Sequence, residues 1–315
     1  MEKPDSVHLD LIRDVSFRPV FIIGLHRSGT TLLYNMLAES GHFNVVTTYH
    51  VLAYDSILDD HVSRRSAQAL QDVEQRLEKA GARSRAYDGA RVRPDLPEEY
   101  GFAIALNDRP QLLPNNLARF LELCKKVQYT SDRNRWMLLK NPWDMSNFAY
   151  IKRSLPQSRF IFIHRHPLWV LNSQIRGLRS ALEKRNSYMA LIAPWYERLF
   201  REPQLLESAK SMLSPRAVEK SLGQPIEVAL QYFLRNIDLV PATDICSVRY
   251  EDLCASPDSW ITRLLDFLEL PPEPNRSYAH LVERRNPPLL PEASATFQNM
   301  CRRLEPYLQR YGYGE

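Results

Sequence analysis

Along the chain, short apolar runs rich in β-branched residues alternate with longer segments whose apolar positions recur every three or four residues. "RPVFIIGL" at 18–25 is such a run. It ends at a glycine, which predicts a parallel strand buried on both faces. "TTLLYNMLAES" follows with helical spacing, and "SGH" stops it. The unit recurs. "RWMLLKN" predicts a strand and "PWDMSNFAYIKRSL" a helix with Pro142 in its first turn. "SRFIFIHR" predicts another buried strand and "HPLWVLNSQIRGLRSALEK" the helix after it. "DICSVRYEDL" predicts a strand, and "SPDSWITRLLDFLEL" a helix capped by Ser256 with Pro257 at its first position. Strands alternating with helices define an α/β fold with a parallel sheet covered on both faces.

Two stretches depart from this rhythm. Residues 55–130 hold a polar helix at "SAQALQDVEQRLEKA" and an arginine-bearing loop, "ARSRAYDGARVRPDLPEE". Residues 184–240 read as helical and aromatic-rich, centred on "YMALIAPWYERLF". Both are expected to be helical insertions over the ends of the sheet in one domain spanning 1–315. Ligands of open α/β sheets bind at the carboxyl ends of the strands, so insertions there would shape a substrate pocket. The arginines at 83, 85, 91 and 93 read as residues of a solvated loop. Pro194 and a nearly balanced charge assign "YMALIAPWYERLF" to core packing or pocket lining rather than to a membrane surface.

Composition narrows the partners. Apolar residues are 44% of the 315, enough for a full core without disulfide staples. Cys124, Cys246, Cys254 and Cys301 form no C-x-x-C pair, so neither a zinc ribbon nor a thioredoxin-like site is indicated. The net charge of +4 and pI near 8.8 suit an anionic ligand. They are too weak, with Lys and Arg scattered, to indicate nucleic acid. The N-terminus is charged and lacks an apolar signal core, and no apolar run is long enough to span a bilayer. A soluble, cytoplasmic protein without a transmembrane segment is expected.

The chemistry begins at "GLHRSGTT". Gly24 and Gly29 have the spacing of the nucleotide-binding G-x-x-x-x-G-K-[ST] loop, but Thr30 stands where the lysine belongs. Two glycines let the backbone curl so that successive N–H groups face an anion, and the helix starting near Thr30 adds its positive end. Ser28, Thr30 and Thr31 add hydroxyls, and Arg27 adds a fixed charge with several donors. No apolar strand ends in an aspartate that would hold magnesium. The histidines, His26, His164 and His166 among them, have no metal-ligand spacing. In "FIFIHRHPLWVLNSQI", Arg165 ends a strand and Ser173 follows on the next helix, a second clamp for an oxyanion.

"GLHRSGTTLL", "RFIFIHRHPLWVLNS" and "VRYEDL", in that order, resemble the PAPS-dependent sulfotransferases. The likeness is to the bacterial branch similar to tyrosylprotein sulfotransferases, and it runs from about Arg18 to Leu270. It implies a P-loop-like three-layer fold. It also implies the donor 3′-phosphoadenosine-5′-phosphosulfate (PAPS), the product PAP, and no metal. Carried over by motif, Arg27, Ser28, Gly29, Thr30 and Thr31 hold the 5′-phosphosulfate, and Arg165 and Ser173 grip the 3′-phosphate. Tyr250 faces that phosphate, and Arg285 of "ERRNPP" is a late basic clamp, although the glycine-rich basic motif of the cytosolic branch is absent. Lys140 matches a strand-end lysine of relatives. With Arg27 it would neutralise the bridging oxygen as PAP leaves, a fixed electrostatic role.

The acceptor hydroxyl must lose a proton, so a base belongs beside the transferred group. His50, in "TTYHVLAYD", aligns approximately with the catalytic glutamate of the tyrosylprotein branch, and imidazole titrates in the useful range. It is the first choice, with Glu99 second. Glu98 and Glu99 of "LPEEYGF" match an acidic pair of bacterial relatives. Asp144 sits where many relatives place a histidine, or is simply a first-turn helix residue. The competing readings are a P-loop small-molecule kinase and a non-catalytic PAP- or anion-binding protein. The acceptor stays open among sugar, lipid, natural-product and tyrosine hydroxyls, as does the oligomeric state.

Overall fold

Phe21 and Ile23 point into one apolar core, and Val20 and Ile22 into another. This division, two residues to each face of β1 (Pro19–Ile23), is the period-two geometry of a strand with both faces covered. The computed structural model describes residues 3–85, 89–273, 276–283 and 287–314. Its sheet has β2 (Phe43–Val45), β3 (Trp136–Lys140), β4 (Arg159–His164) and β5 (Ile245–Arg249) besides β1, in the order β2-β3-β1-β4-β5. All the pairings are parallel. The register sets Ile22 beside Lys140 on one side and Ile161 on the other.

Helices make the connections. α1 (Thr30–Glu39) links β1 to β2. Between β2 and β3 run α2 (Thr48–Leu52), α3 (Ile57–Val62), α4 (Ser66–Lys79), α5 (Tyr100–Ile104) and α6 (Leu117–Thr130), which include the first expected insertion. α7 (Phe148–Ser154) links β3 to β4. After β4 come α8 (Pro167–Glu183), α9 (Ser187–Ile192), α10 (Pro194–Arg201), α11 (Pro203–Ser211) and α12 (Gln224–Asn236), so the stretch expected to be the second insertion is mainly helical. α13 (Tyr250–Ala255), α14 (Pro257–Phe267) and α15 (Pro291–Arg310) follow β5. Leu33 and Leu37 of α1 and Ile261 and Leu264 of α14 pack with Val20 and Ile22. Phe120 of α6, Phe148 of α7, Leu171 of α8 and Phe233 of α12 pack with Phe21. The result is three layers, helix–sheet–helix, of the P-loop-like kind.

The core that holds Phe21 is built on rings. Phe21 stacks on Phe160 with centroids 5.6 Å apart, and Phe148 meets Phe162 edge-on at 5.1 Å. Emptying this position by Phe21→Ala would cost about 3–5 kcal/mol.

Three local expectations are corrected. The helix read over "PWDMSNFAYIKRSL" is two elements, a 3₁₀ turn at Pro142–Ser146 and then α7. Asn147 breaks it at φ −141°, because its side chain and that of Asp144 bond the neighbouring loop instead of continuing the helix. "VRYEDL" is strand only to Arg249, and Tyr250 opens α13. Arg85, read as solvated, is wholly buried. Among the described residues no helix is long and apolar enough to cross a membrane.

Candidate active site

In the order β2-β3-β1-β4-β5 the connection from β1 runs towards one edge and that from the adjacent β4 towards the other, so their carboxyl ends form a topological switch point. That is where an open α/β sheet forms its crevice. The loop from Gly24 to Gly29 fills it. Gly29 has φ +102°, and a Cβ there would stand 2.3 Å from Cδ2 of Tyr250, so both torsion and space require glycine. Gly24 is needed for a different reason: a Cβ would meet Ser28 Oγ at 2.6 Å. Ser28 Oγ is buried and has no hydrogen-bond partner among the described residues. Arg27 adopts φ +71°, a left-handed torsion that costs a side-chain-bearing residue roughly 1–2 kcal/mol.

Two bonds from the second motif hold Arg27 there. Arg165 Nη1 donates to its carbonyl at 2.9 Å, and its own Nε donates to Ser173 Oγ at 3.0 Å. The Arg165 guanidinium lies 4.3 Å from the centre of the Tyr250 ring. Tyr250 is therefore sandwiched between Gly29 and Arg165, and the residues of three distant motifs close into one ring. The strand end before Arg165 is anchored by His164, whose Nδ1 is 3.0 Å from the Tyr307 hydroxyl and whose ring stacks on Tyr311 at 3.7 Å. Burial, aided by the Arg310 charge, lowers the His164 pKa to about 3, so the ring is neutral. The neighbour of Ser173 also contributes: Gln174 Nε2 donates to the His26 carbonyl at 2.9 Å. Sequence reading missed Gln174, although the polar run "NSQ" inside an otherwise amphipathic helix was its signal.

On the opposite side stands Lys140, with its side chain buried. Its Nζ lies 3.2 Å from Thr31 Oγ1 and 3.0 Å from Glu99 Oε1, and it faces the Tyr34 ring at 5.7 Å. His26 lies close to both cations. Burial first, then the Lys140 and Arg27 charges, lower its pKa to about 4. Its Nε2 is buried without a partner among the described residues, and its ring meets Trp143 edge-on at 4.5 Å. Trp143 itself is 37% exposed.

The candidate bases converge because the segment after β2 pairs with the acidic loop. Glu98 N–H donates to Val46 O at 2.8 Å, and Thr48 N–H to Leu96 O at 3.0 Å. Their roles then separate by contact. His50 caps α2: its Nδ1 accepts the Thr47 N–H at 3.0 Å, and burial lowers its pKa to about 4. With Nδ1 accepting, the neutral ring carries its proton on Nε2. Asp144 is buried and accepts from Tyr100 Oη at 2.5 Å, Asn141 at 2.7 Å, Leu112 N–H at 3.0 Å and Asn147 at 3.3 Å. Burial raises its pKa while these bonds oppose the rise. Both oxygens hold the turn together. Glu98 is likewise enclosed, by Arg85 and Tyr188. Glu99 has one oxygen on Lys140, and among the described residues no group donates to the other. Arg285 lies outside the described residues.

The family model for the sulfotransferase family matches residues 19–274. The chain belongs to that family and is a PAPS-dependent sulfotransferase. Sulfotransferase STF9 from Mycobacterium avium superimposes with a TM-score of 0.58 at 15% identity, over 95% of this chain and 71% of that one. Sulfotransferase STF1 from Mycobacterium tuberculosis H37Rv gives 0.56 at 14%, over 94% and 75%. These two share the fold with this chain. A search of curated protein sequences found no match.

Proposed function

We propose that the protein moves the sulfuryl group of PAPS to the hydroxyl of a small-molecule acceptor, with Glu99 as the base. The observation that carries this reading is Lys140, a buried cation touching Thr31 of the anion loop and Glu99 at once. The loop fits a 5′-phosphosulfate. It offers the orphaned Ser28 Oγ, the Thr30 and Thr31 hydroxyls and the start of α1, in a cradle that a Cβ on Gly29 would close. Arg165 and Ser173, with Tyr250 beneath the guanidinium, suit the 3′-phosphate.

PAPS supplies a sulfuryl group on a phosphate oxygen, and PAP leaves with the electron pair of that S–O bond. Lys140 and Arg27 provide fixed positive charge for the leaving oxygen without reorganising. The acceptor oxygen bonds to sulfur while its proton passes to the Glu99 oxygen that Lys140 does not occupy. Glu99 suits this step better than His50, whose accepting nitrogen is already engaged by the Thr47 N–H. Asp144 and Glu98 have both carboxylate oxygens engaged by donors among the described residues. Trp143, exposed beside His26, would offer the acceptor an apolar wall.

The test is transfer of label from radiolabelled PAPS to a panel of 2-naphthol, a long-chain alcohol, a disaccharide and a tyrosine peptide, run against ATP with magnesium. Labelled sulfate esters with PAPS and no phosphorylation with ATP are expected. Phosphoryl transfer from ATP would make the protein a kinase. PAP binding with neither transfer nor PAPS hydrolysis would make it a binding protein.

A further inference from the structure

Two adjacent glutamates have opposite environments, and the enclosed one holds the other. Neither Glu98 nor Arg85 exposes any of its side chain. Arg85 Nη1 lies 3.4 Å from Glu98 Oε2 and 3.5 Å from Oε1. The Tyr188 hydroxyl donates to Oε2 at 2.5 Å, and Thr48 Oγ1 lies 3.0 Å behind that hydroxyl. The backbone N–H of Glu99 donates to Oε1 at 2.9 Å. The carboxylate thus joins the loop before α5 to α9, and through the Tyr188 hydroxyl it also reaches the start of α2. A further bond supports the junction, Asn186 Nδ2 to Ser84 O at 2.8 Å.

A buried ion pair adds little net stability, because dehydrating two charges offsets their attraction. What this one does is define a geometry. Arg85 and Tyr188 orient the Glu98 carboxylate, the carboxylate orients the Glu99 amide, and the Glu99 side chain reaches Lys140 at 3.0 Å. We propose that Arg85, Glu98 and Tyr188 form a latch between the two insertions, with Tyr188 acting as a positioning residue for proton transfer at Glu99. The inference rests on Glu99 being the base. It assigns a part in the reaction to the second insertion, through a residue that touches neither Lys140 nor the anion loop.

Tyr188→Phe removes one hydroxyl and keeps the ring in the core. The measurement is single-turnover loss of label from PAPS, to the fastest compound of the panel above or to water, in the full chain. A displacement of Glu99 by about an ångström predicts a rate 10- to 100-fold lower, with PAP affinity within about twofold of the parent. If Tyr188 acts through Glu99, the substitution should change a Glu99→Gln variant by no more than about twofold. Thr48→Val, which removes only the partner behind Tyr188, should show the same pattern in weaker form. A parental rate in Tyr188→Phe, or its full effect repeated on top of Glu99→Gln, would overturn the latch alone. A parental rate in Glu99→Gln would overturn the base and the latch together.

Discussion

Lys140 Nζ and Glu99 Oε1 are 3.0 Å apart, in a pair that exposes 0% and 7% of the two side chains. The contact joins β3 to a loop from the first insertion, and Thr31 on the other side of the same ammonium brings in the anion loop. The buried charge and the base we propose are thereby held in one place. Glu99→Gln should keep a hydrogen bond to Lys140 and lose the base. Turnover should fall about 10²–10⁴-fold, while calorimetry shows PAP binding retained.

His50 gives the contrasting case. Its Nδ1 caps α2, so His50→Ala should lower stability by about 1 kcal/mol, as loss of a helix cap does. Turnover should stay within a few-fold of the parent. Denaturant unfolding and the transfer assay check the two halves. Abolished turnover at unchanged stability would return the proton transfer to His50.

Arg165 serves both the loop, through the Arg27 carbonyl, and the ring of Tyr250. Losing charge-assisted hydrogen bonds of about 1.5–3 kcal/mol should weaken PAP binding by roughly 10- to 100-fold in Arg165→Ala. Titration calorimetry reads this directly, and an unchanged Kd would remove Arg165 from the donor site.

Gly29→Ala sets a methyl 2.3 Å from Tyr250 Cδ2 at a torsion of +102°. Loss of PAP binding and a lower Tm are expected. Adding Tyr250→Ala relieves the steric half and leaves the torsional half, so Tm should recover in part. Full recovery would show that the torsion carries no strain.

Acid should unfold the protein through its buried imidazoles. His26, His50 and His164 have pKa values of about 4, about 4 and about 3 in the folded state, chiefly through burial. The unfolded chain has imidazoles near 6.5, so below that pH it binds protons that the folded protein does not. Stability from these groups is complete above pH 6.5 and is lost as pH falls towards 4. Each contributes a slope of about 1.4 kcal/mol per pH unit inside that window. A Tm flat from pH 7 to 8 and falling steeply below about 6.5 is the expected profile.

Much of this was legible in the sequence because it is local. A β-branched run ending in glycine marks β1, and "GLHRSGTT" shows its donors in order. Arg165, Ser173 and Tyr250 were reached through motif resemblance, and they do assemble around Arg27. What escaped depends on pairing across long separations. His50 looked like a base because imidazole chemistry is visible in one letter, while its bond to the Thr47 amide is not. Arg85 looked solvated because its carboxylate partner, Glu98, lies 13 residues away by number, and Tyr188, which encloses the same carboxylate, lies 90 beyond that. Asp144 shows the same limit: four donors from three segments turned a candidate base into the knot of a turn.

The central position of β1 also bears on how the chain is made. The first strand to be synthesised is the middle of the finished sheet, and both of its edges wait for later partners. β2 cannot cover it, since β3 lies between them. During synthesis an apolar strand with two open hydrogen-bonding edges must persist until β3 and β4 emerge, and such edges invite pairing with other chains. The loop from Gly24 to Gly29, hung on that strand, is completed only when Tyr250 arrives beyond β5. PAP binding should therefore appear late in folding, as a report that the chain from β1 through Tyr250 is in place.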